Sequence, residues 1–303
     1  MKKIKVSESD IELFKTMYNN NVPLKDICKQ FNISNTTLGR WKTKYGVVSN
    51  RNVYVINANQ ESLEKYNDIF ITELYQPLLN DYNGSHKKYS FNESYFDVID
   101  SPNKAYMIGL FLADGNICQN RDKFSISLQD MDKNILEKIS DKLEYTGDLR
   151  ISKYSDKNKN WHDQYVLYLY SKHICRAMCF YGIVPNKSLI LQFPTMIDKR
   201  FHKDILRGYI DGDGTISKTE CRVRFCSTND FCQTAKLLIE NTLFINCSIE
   251  NCANYNGITK ELRIAGKRQC KIFLDWIYDD AELYIDRKYQ IYYDKYINNS
   301  LPA

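Results

Sequence analysis

Two aspartates 99 residues apart, Asp114 and Asp213, each stand before a glycine at the end of a segment of apolar and small residues. The first reads Met107-Ile108-Gly109-Leu110-Phe111-Leu112-Ala113-Asp114-Gly115-Asn116-Ile117, the second Leu206-Arg207-Gly208-Tyr209-Ile210-Asp211-Gly212-Asp213-Gly214-Thr215-Ile216. Paired carboxylates hold hard divalent cations, and beside a phosphodiester such a pair activates water and stabilises the leaving oxygen. Small residues four apart, Gly109 and Ala113 in one copy and Gly208 and Gly212 in the other, share a helix face and let two helices approach closely. Packed side by side about a pseudo-twofold axis, the helices would bring both carboxylates together at two negative helix ends. That arrangement calls for a cation, and Mg²⁺ is the natural hard ion. One copy alone would read as a core helix closed by an Asp-Gly turn. Two copies at a period near 100 residues, too long for a solenoid, imply a duplicated domain.

The elements around each acid repeat as well. After Asp114 come alternating strand patterns over Lys123–Gln129 and Tyr165–Tyr170, with a helix from Asp132 to Leu143 between them. After Asp213 come Cys221–Cys226, a helix from about Phe231 to Leu243, and Glu261–Ile264. One face of each strand is apolar and the other polar, which predicts antiparallel sheets backed by helices with one face left free. Lys123, Ser125, Ser127, Gln129, Arg150, Ser152, Arg222, Arg224 and Arg263 are the candidates for a surface that lies in a DNA major groove.

Three short helices are expected near the amino end: Ser7–Asn20 capped by Ser7, Leu24–Phe31 behind Pro23, and Asn35 to about Lys44 capped by Ser34. The turn Asn32-Ile33-Ser34 joins the second to the third, the layout that inserts into a major groove. Asn35, Thr36, Thr37 and Arg40 are then candidates for base edges, and Lys42 and Lys44 for phosphates. The stretch Pro23–Gly46 resembles the helix-turn-helix of transposases and recombinases. The expected organisation is a helix-turn-helix domain over 1–50, a linker over 51–100, and two repeats over 101–196 and 197–303. In the linker, a helix is expected near Gln60–Asn67, and Tyr82, His86, Lys87, Lys88 and Tyr89 read as a solvated loop.

Lys and Arg exceed Asp and Glu by nine to four in residues 1–50, trail four to eight in 51–100, and lead twenty-nine to twenty-five in 101–303. A basic head, acidic connector and mildly basic body suit a polyanion touched at both ends. The start Met1-Lys2-Lys3-Ile4-Lys5 runs into Ser7-Glu8-Ser9-Asp10 rather than an apolar stretch, so no secretory signal is read. No run nears the ~18 apolar residues of a membrane helix. A cytoplasmic protein is expected, with its ten cysteines reduced. His173, Cys175 and Cys179 lack structural zinc spacing and are read as core packing.

The two acidic segments resemble the paired motifs of LAGLIDADG homing endonucleases, a likeness that runs from about Asn103 to the carboxyl end. The resemblance implies an α+β fold: two pseudo-twofold-related αββαββα repeats forming a β-saddle, preceded here by the small all-α domain. Matched position by position, the family's metal-binding acids fall on Asp114 and Asp213, with the adjoining Gly115 and Gly214 in the metal set. Leu112 departs from the motif where the second copy has Asp211. The family's basic residue in each half falls on Lys187 and Lys288, which follow their acids by 73 and 75 residues. Gln129, Asp132 and Asn229 fall near its water-ordering positions, although helix capping accounts equally for Asp132 and Asn229. The implied activity is Mg²⁺- or Mn²⁺-dependent cleavage of both strands of a long, asymmetric DNA site by one chain acting as its own pseudo-dimer, leaving short 3′ overhangs. The competing readings are a DNA-binding regulator that has lost cleavage and an RNA-binding intron maturase. Both acids retained near phosphate favour the enzyme. A chain that begins Met-Lys and ends Leu-Pro-Ala lacks a splicing nucleophile and terminal Asn, so an intein is not expected.

Overall fold

The computed structural model describes residues 7–19, 22, 24–34, 37, 38, 41, 89–118, 122–156, 161–252 and 259–298. The chain divides into two compact units, Met1–Ala58 and Asn59–Ala303. In the first, α1 (Glu8–Asn19) and α2 (Leu24–Gln30) surround a small core of Phe14, Tyr18, Ile27, Ile33, Leu38 and Trp41. Ser7 and Asp10 cap α1 reciprocally: the Asp10 amide donates to Ser7 Oγ (3.1 Å) and the Ser7 amide to Asp10 Oδ2 (3.0 Å). After α2 the chain reverses at Asn32, in the left-handed region at φ 50°. The Thr37 amide then donates to Ser34 Oγ at 3.2 Å, the bond of a helix N-cap. Trp41 meets Phe14 and Phe31 edge-on, each at 5.5 Å between centroids. Gln60–Asn67 and residues 82–88 lie outside the described residues, as do Asn35, Thr36, Arg40, Lys42 and Lys44.

The second unit contains two αββαββα repeats. The first comprises α3 (Pro102–Asp114), β1 (Gly115–Cys118), β2 (Lys123–Gln129), α4 (Lys133–Lys142), β3 (Arg150–Ser152), β4 (Gln164–Tyr170) and α5 (Lys172–Phe180). The second comprises α6 (His202–Asp213), β5 (Gly214–Ile216), β6 (Arg222–Ser227), α7 (Asn229–Leu243), β7 (Ser248–Asn251), β8 (Lys260–Ala265) and α8 (Lys267–Tyr278), followed by α9 (Asp286–Tyr292) and a π-helical turn at Tyr293–Ile297. The sheets are antiparallel, in the orders β1-β2-β4-β3 and β5-β6-β8-β7. The edge strands β1, β3, β5 and β7 have three or four residues each, too few for a two-residue period to stand out in sequence.

One hydrophobic core runs through both repeats, and α3 and α6 lie at its centre. Residues Ala105–Leu112 are all buried, as expected of a helix apolar on every side. Ser101 caps α3 and Pro102 opens it. α6 carries buried polar residues in the same setting, and two of them, Arg207 and Asp211, make several hydrogen bonds. Arg207 donates to Asp204 (2.7 Å) and to the carbonyls of Ile277 (2.7 Å) and Leu283 (3.0 Å). Asp211, fully buried where the first copy has Leu112, accepts from the Tyr106 hydroxyl (2.9 Å), the Tyr278 hydroxyl (3.2 Å) and the Ile285 amide (2.8 Å). Tyr106 belongs to α3, so this carboxylate ties the two repeats together.

Part of the expected linker belongs to this unit. Phe96 is fully buried and Ile99 nearly so, the Asn92 amide donates to the Leu143 carbonyl (2.8 Å), and the Tyr181 hydroxyl donates to the Phe96 carbonyl (3.1 Å). Isolated aromatics among polar residues gave no periodic signal there. Cys175 and Cys179 are buried in the core, and His173 Nε2 faces Asp97 at 2.5 Å.

Glycine at 109 and 208 allows the central contact. A Cβ at Gly109 would stand 2.0 Å from the Ile205 carbonyl oxygen, and one at Gly208 would stand 2.0 Å from that of Tyr106. Both obstacles are backbone, so neither can step aside. Gly208→Ala is expected to force α3 and α6 apart and lower stability by at least ~3 kcal/mol, measured by denaturant unfolding. A change below ~1 kcal/mol would show that the interface yields.

Candidate active site

The contacts between α3 and α6 set their direction. Tyr106 lies against Gly208, and Ala113 and Asp114 lie against Gly212, so the helices run parallel and end together. A Cβ on Gly212 would fall 2.7 Å from Asp114 Oδ2. The first carboxylate thus packs on the residue preceding the second. Parallel helices also add their negative ends, so two acids and two dipole termini of one sign are concentrated at this point.

Two lysines offset that charge. Lys187, beside the left-handed Asn186 (φ 55°), is 8% exposed and donates to the carbonyls of Ala113 (3.1 Å) and Gly115 (2.5 Å). Lys288, in α9, is 4% exposed and donates to the carbonyls of Ile210 and Asp211 (both 2.6 Å), Gly212 (3.4 Å) and Gly214 (2.7 Å). Ala113 with Gly115 and Gly212 with Gly214 are again pairs 99 apart, so each lysine closes the same two carbonyls of its own acidic helix. The resemblance implied ammonium groups directed at water or phosphate. These ammoniums are instead anchored on helix-end carbonyls, next to both acids. The main-chain oxygens of Gly115 and Gly214 already serve as acceptors for them.

The balance of burial and charge shows in the titration of the four groups. Burial first, then the Asp213 carboxylate, lift Asp114 to about 7 against the pull of Lys187 and Lys288. Asp213 is raised as well, by burial, although one side of it is open to solvent. Burial lowers Lys187, and lowers Lys288 to about 8. Among the described residues neither carboxylate accepts a hydrogen bond, so their oxygens remain available. Two adjacent, hard, anionic donors without hydrogen-bond partners fit a divalent cation bound through oxygen.

Residues around the tips were only partly anticipated. Asp132 occupies the N-cap position of α4, but its side chain makes no capping hydrogen bond. It is 3% exposed and takes the Arg287 guanidinium on both oxygens, at 2.9 and 3.0 Å from Nε and 2.9 Å from Nη2. Asn134 donates to Asp286. The segment Asp286-Arg287-Lys288 therefore grips the first repeat with two residues and caps the second acidic helix with the third. Thr228, not Asn229, caps α7, accepting from the Phe231 amide at 3.1 Å, and Asn229 is exposed. The adjacency of three charged residues at 286–288 was visible in sequence; the partners of Asp286 and Arg287, 152 and 155 residues away, and those of Lys288, 74 to 78 residues away, were not.

All nine sheet candidates lie on the outer faces, opposite Phe124, Ile126 and Leu128 in one sheet and Val223, Phe225, Leu262 and Ile264 in the other. Gln129 is exposed, and Ser152 pairs in register with Gln164. Ser125 departs from expectation: it is 9% exposed, covered by its neighbours, with its hydroxyl directed at the Asn116 carbonyl (3.5 Å). Ser127 donates to Gln164 Oε1 at 2.7 Å. Lys123 Nζ and the Arg150 guanidinium carbon stand 4.6 and 5.5 Å from the centre of the Tyr168 ring. Arg222 pairs with Glu220 at 2.5 Å, while Arg224 and Arg263 both pair with Glu261. In the amino-terminal unit, Thr37 shares a hydrogen bond with Ser34 between hydroxyls at 3.0 Å.

Residues 101–178 match the LAGLIDADG-like domain. The DNA-directed RNA polymerase subunit Rpo1C of Methanocaldococcus jannaschii is 28% identical over 124 residues, which make up 41% of this chain and only 14% of that subunit. Among solved structures, full-length DUF199/WhiA from Thermatoga maritima is similar at 14% identity and TM-score 0.43, over 69% of this chain and 68% of that one. I-DmoI in complex with DNA and Mn is similar at 16% identity and TM-score 0.41, over 63% and 99%. The LAGLIDADG homing endonuclease I-GzeII in complex with its DNA target is similar at 12% identity and TM-score 0.42, over 63% and 87%. No described helix is long and apolar enough to cross a membrane.

The raised Asp114 gives a signed expectation. A carboxyl whose pKa rises on folding favours the folded state while protonated; this advantage is complete below its ordinary 3.8 and is lost as pH rises through about 7. Replacing Asp114 by Asn is therefore expected to raise the melting temperature of cation-free protein more at about pH 8 than at about pH 5, with millimolar Mg²⁺ narrowing the gap by stabilising the wild type. A difference independent of both pH and Mg²⁺ would contradict this electrostatic account.

Proposed function

We propose that the chain is a site-specific endonuclease that hydrolyses both strands of duplex DNA, with Asp114 and Asp213 as its cation-binding acids. The observation that carries this reading is the meeting of two carboxylates, without hydrogen-bond donors among the described residues, at the common end of two parallel helices. A bound Mg²⁺ or Mn²⁺ would supply Lewis-acid charge to a phosphoryl oxygen and favour ionisation of water near neutral pH. The chain's own residues prepare that setting. Lys187 and Lys288 neutralise the helix ends on which the acids stand, so a phosphate can approach them. Arg287, held on Asp132, fixes the segment bearing Lys288 against the opposite repeat. Tyr106, through Asp211, sets how α3 lies along α6. Each repeat supplies one acid, so a single copy suffices and a monomer is the working form.

The partner is a long duplex laid across the two outer sheet faces, which would together form the saddle. Because those faces differ residue by residue, the site is asymmetric. The amino-terminal unit would extend it as a helix-turn-helix reader through Asn35, Thr36, Thr37 and Arg40, with Lys42 and Lys44 on phosphates, raising occupancy by linkage rather than chemistry. A second reading, a DNA-binding protein without cleavage, draws support from one feature: both lysines are anchored on helix-end carbonyls rather than directed outward at a phosphate.

Incubation with a duplex library and Mg²⁺, followed by sequencing of cut ends, separates the two readings. The nuclease reading expects defined breaks in both strands. Asp114→Asn is expected to slow cleavage at least ~100-fold while DNA binding changes less than ~3-fold. Binding without breaks in the wild type would establish the second reading instead.

A further inference from the structure

The outer faces of the two sheets carry different chemistry at equivalent positions. Strand register places Asn116, Ser125 and Tyr168 side by side in the first sheet. The residues 99 positions on from the first two, Thr215 and Arg224, lie beside Arg263 and Ser248 in the second. An uncharged row in one half thus corresponds to a row with two guanidinium groups in the other. The next row pairs Ser127 with Val166 and Arg150 in the first sheet, and Cys226 with Glu261 and Glu250 in the second.

Glu261 is the centre of that second lattice. Its side chain is only 13% exposed, and it accepts from Arg224 Nη1 (3.0 Å) on one oxygen and from Arg263 Nε (3.2 Å) and Nη2 (2.8 Å) on the other. Glu250 takes Arg263 Nη1 at 2.9 Å. Three of the five N–H groups of Arg263 are therefore engaged, leaving two for an outside acceptor. Arg224 keeps 41% of its side chain exposed. In the first sheet, Lys123 and Arg150 rest over Tyr168 and, among the described residues, pair with no carboxylate.

Glu261 beneath the two arginines, with the half-exposed Glu250 beside Arg263, makes a poor phosphate grip, because both carboxylates repel the backbone that the arginines would attract. They make a good base reader, because a guanidinium held in one orientation can offer paired N–H groups to the O6 and N7 of guanine. We propose that Glu261 is a positioning residue that fixes Arg224 and Arg263 as readers of guanine, so that the half-site under the second repeat carries guanines at two positions. The first sheet, with unpaired cations over tyrosine, holds its half-site more through backbone. This rests on the DNA-binding reading above, though not on cleavage.

The test is selection of bound duplexes from a random library by the full chain, for wild type, Glu261→Gln, Glu261→Asp and Arg263→Lys. Wild type is expected to enrich guanine at two positions of one half-site. Arg263→Lys, which keeps the charge but loses the fork, is expected to weaken preference at one of them by about tenfold or more. Glu261→Gln is expected to weaken both while increasing affinity for unselected DNA, and Glu261→Asp to recover part of the preference. Weakening that is uniform over all sequences, with a shallower salt dependence, would make the arginines phosphate contacts and overturn the proposal. Failure of the wild type to select any duplex would remove the DNA reading itself, and the proposal with it.

Discussion

The backbone contact between α3 and α6 is the constraint on which the rest of this structure depends. Gly109 against Ile205 and Gly208 against Tyr106 leave no room for a Cβ, so the helices meet along bare main chain. Parallel contact at that distance brings Asp114 and Asp213 to one end, and with them two negative dipole termini. Everything nearby answers that charge. Two buried lysines bond the last carbonyls, Arg287 sits on Asp132, and burial holds Asp114 at about 7. The region is destabilised by repulsion and solvated only in part, a condition that a divalent cation relieves.

Much of this was legible in the sequence because duplication writes itself twice. The 99-residue offset joins Gly109 to Gly208, Asp114 to Asp213 and, in the strands, Asn116 to Thr215 and Ser125 to Arg224. Strands β2 and β4 and their counterparts β6 and β8 were visible through alternation. Long-range polar pairings were not. Lys187 and Lys288 were placed near the acids by the family resemblance, with near-equal spacing selecting them, but their attachment to carbonyls depends on three-dimensional approach. The partnership of Asp132 with Arg287 spans 155 residues and has no local signature. Glu261 left a trace that could have been used: with Arg263 two residues on, it puts opposite charges on one face of one strand.

The two repeats have diverged in different ways at their centre and their surface. The centre keeps its acids and capping lysines and the glycines of its closest contact, and departs where the buried Asp204, Arg207 and Asp211 stand in place of the Ala105, Ile108 and Leu112 of the first copy. Two tyrosine hydroxyls and the Ile285 amide bond the Asp211 carboxylate, and burial raises its pKa against the pull of Lys288 and of the Ile285 and Tyr106 bonds. On the outer sheets the equivalence ends, and uncharged residues in one half stand where arginine stands in the other. A centre that is alike in both repeats, combined with unlike outer surfaces, is what the proposed cutting of an asymmetric duplex by a single chain would require.

The central claim is that the two acidic tips share a cation. Titration of Mn²⁺ into the metal-free full chain, followed by the electron paramagnetic resonance of the free ion, measures it without reference to cleavage. The account predicts binding that strengthens as pH rises through about 7 and weakens at least ~10-fold in both Asp114→Asn and Asp213→Asn. Mn²⁺ affinity that either substitution leaves intact would show that the carboxylates do not act as one site.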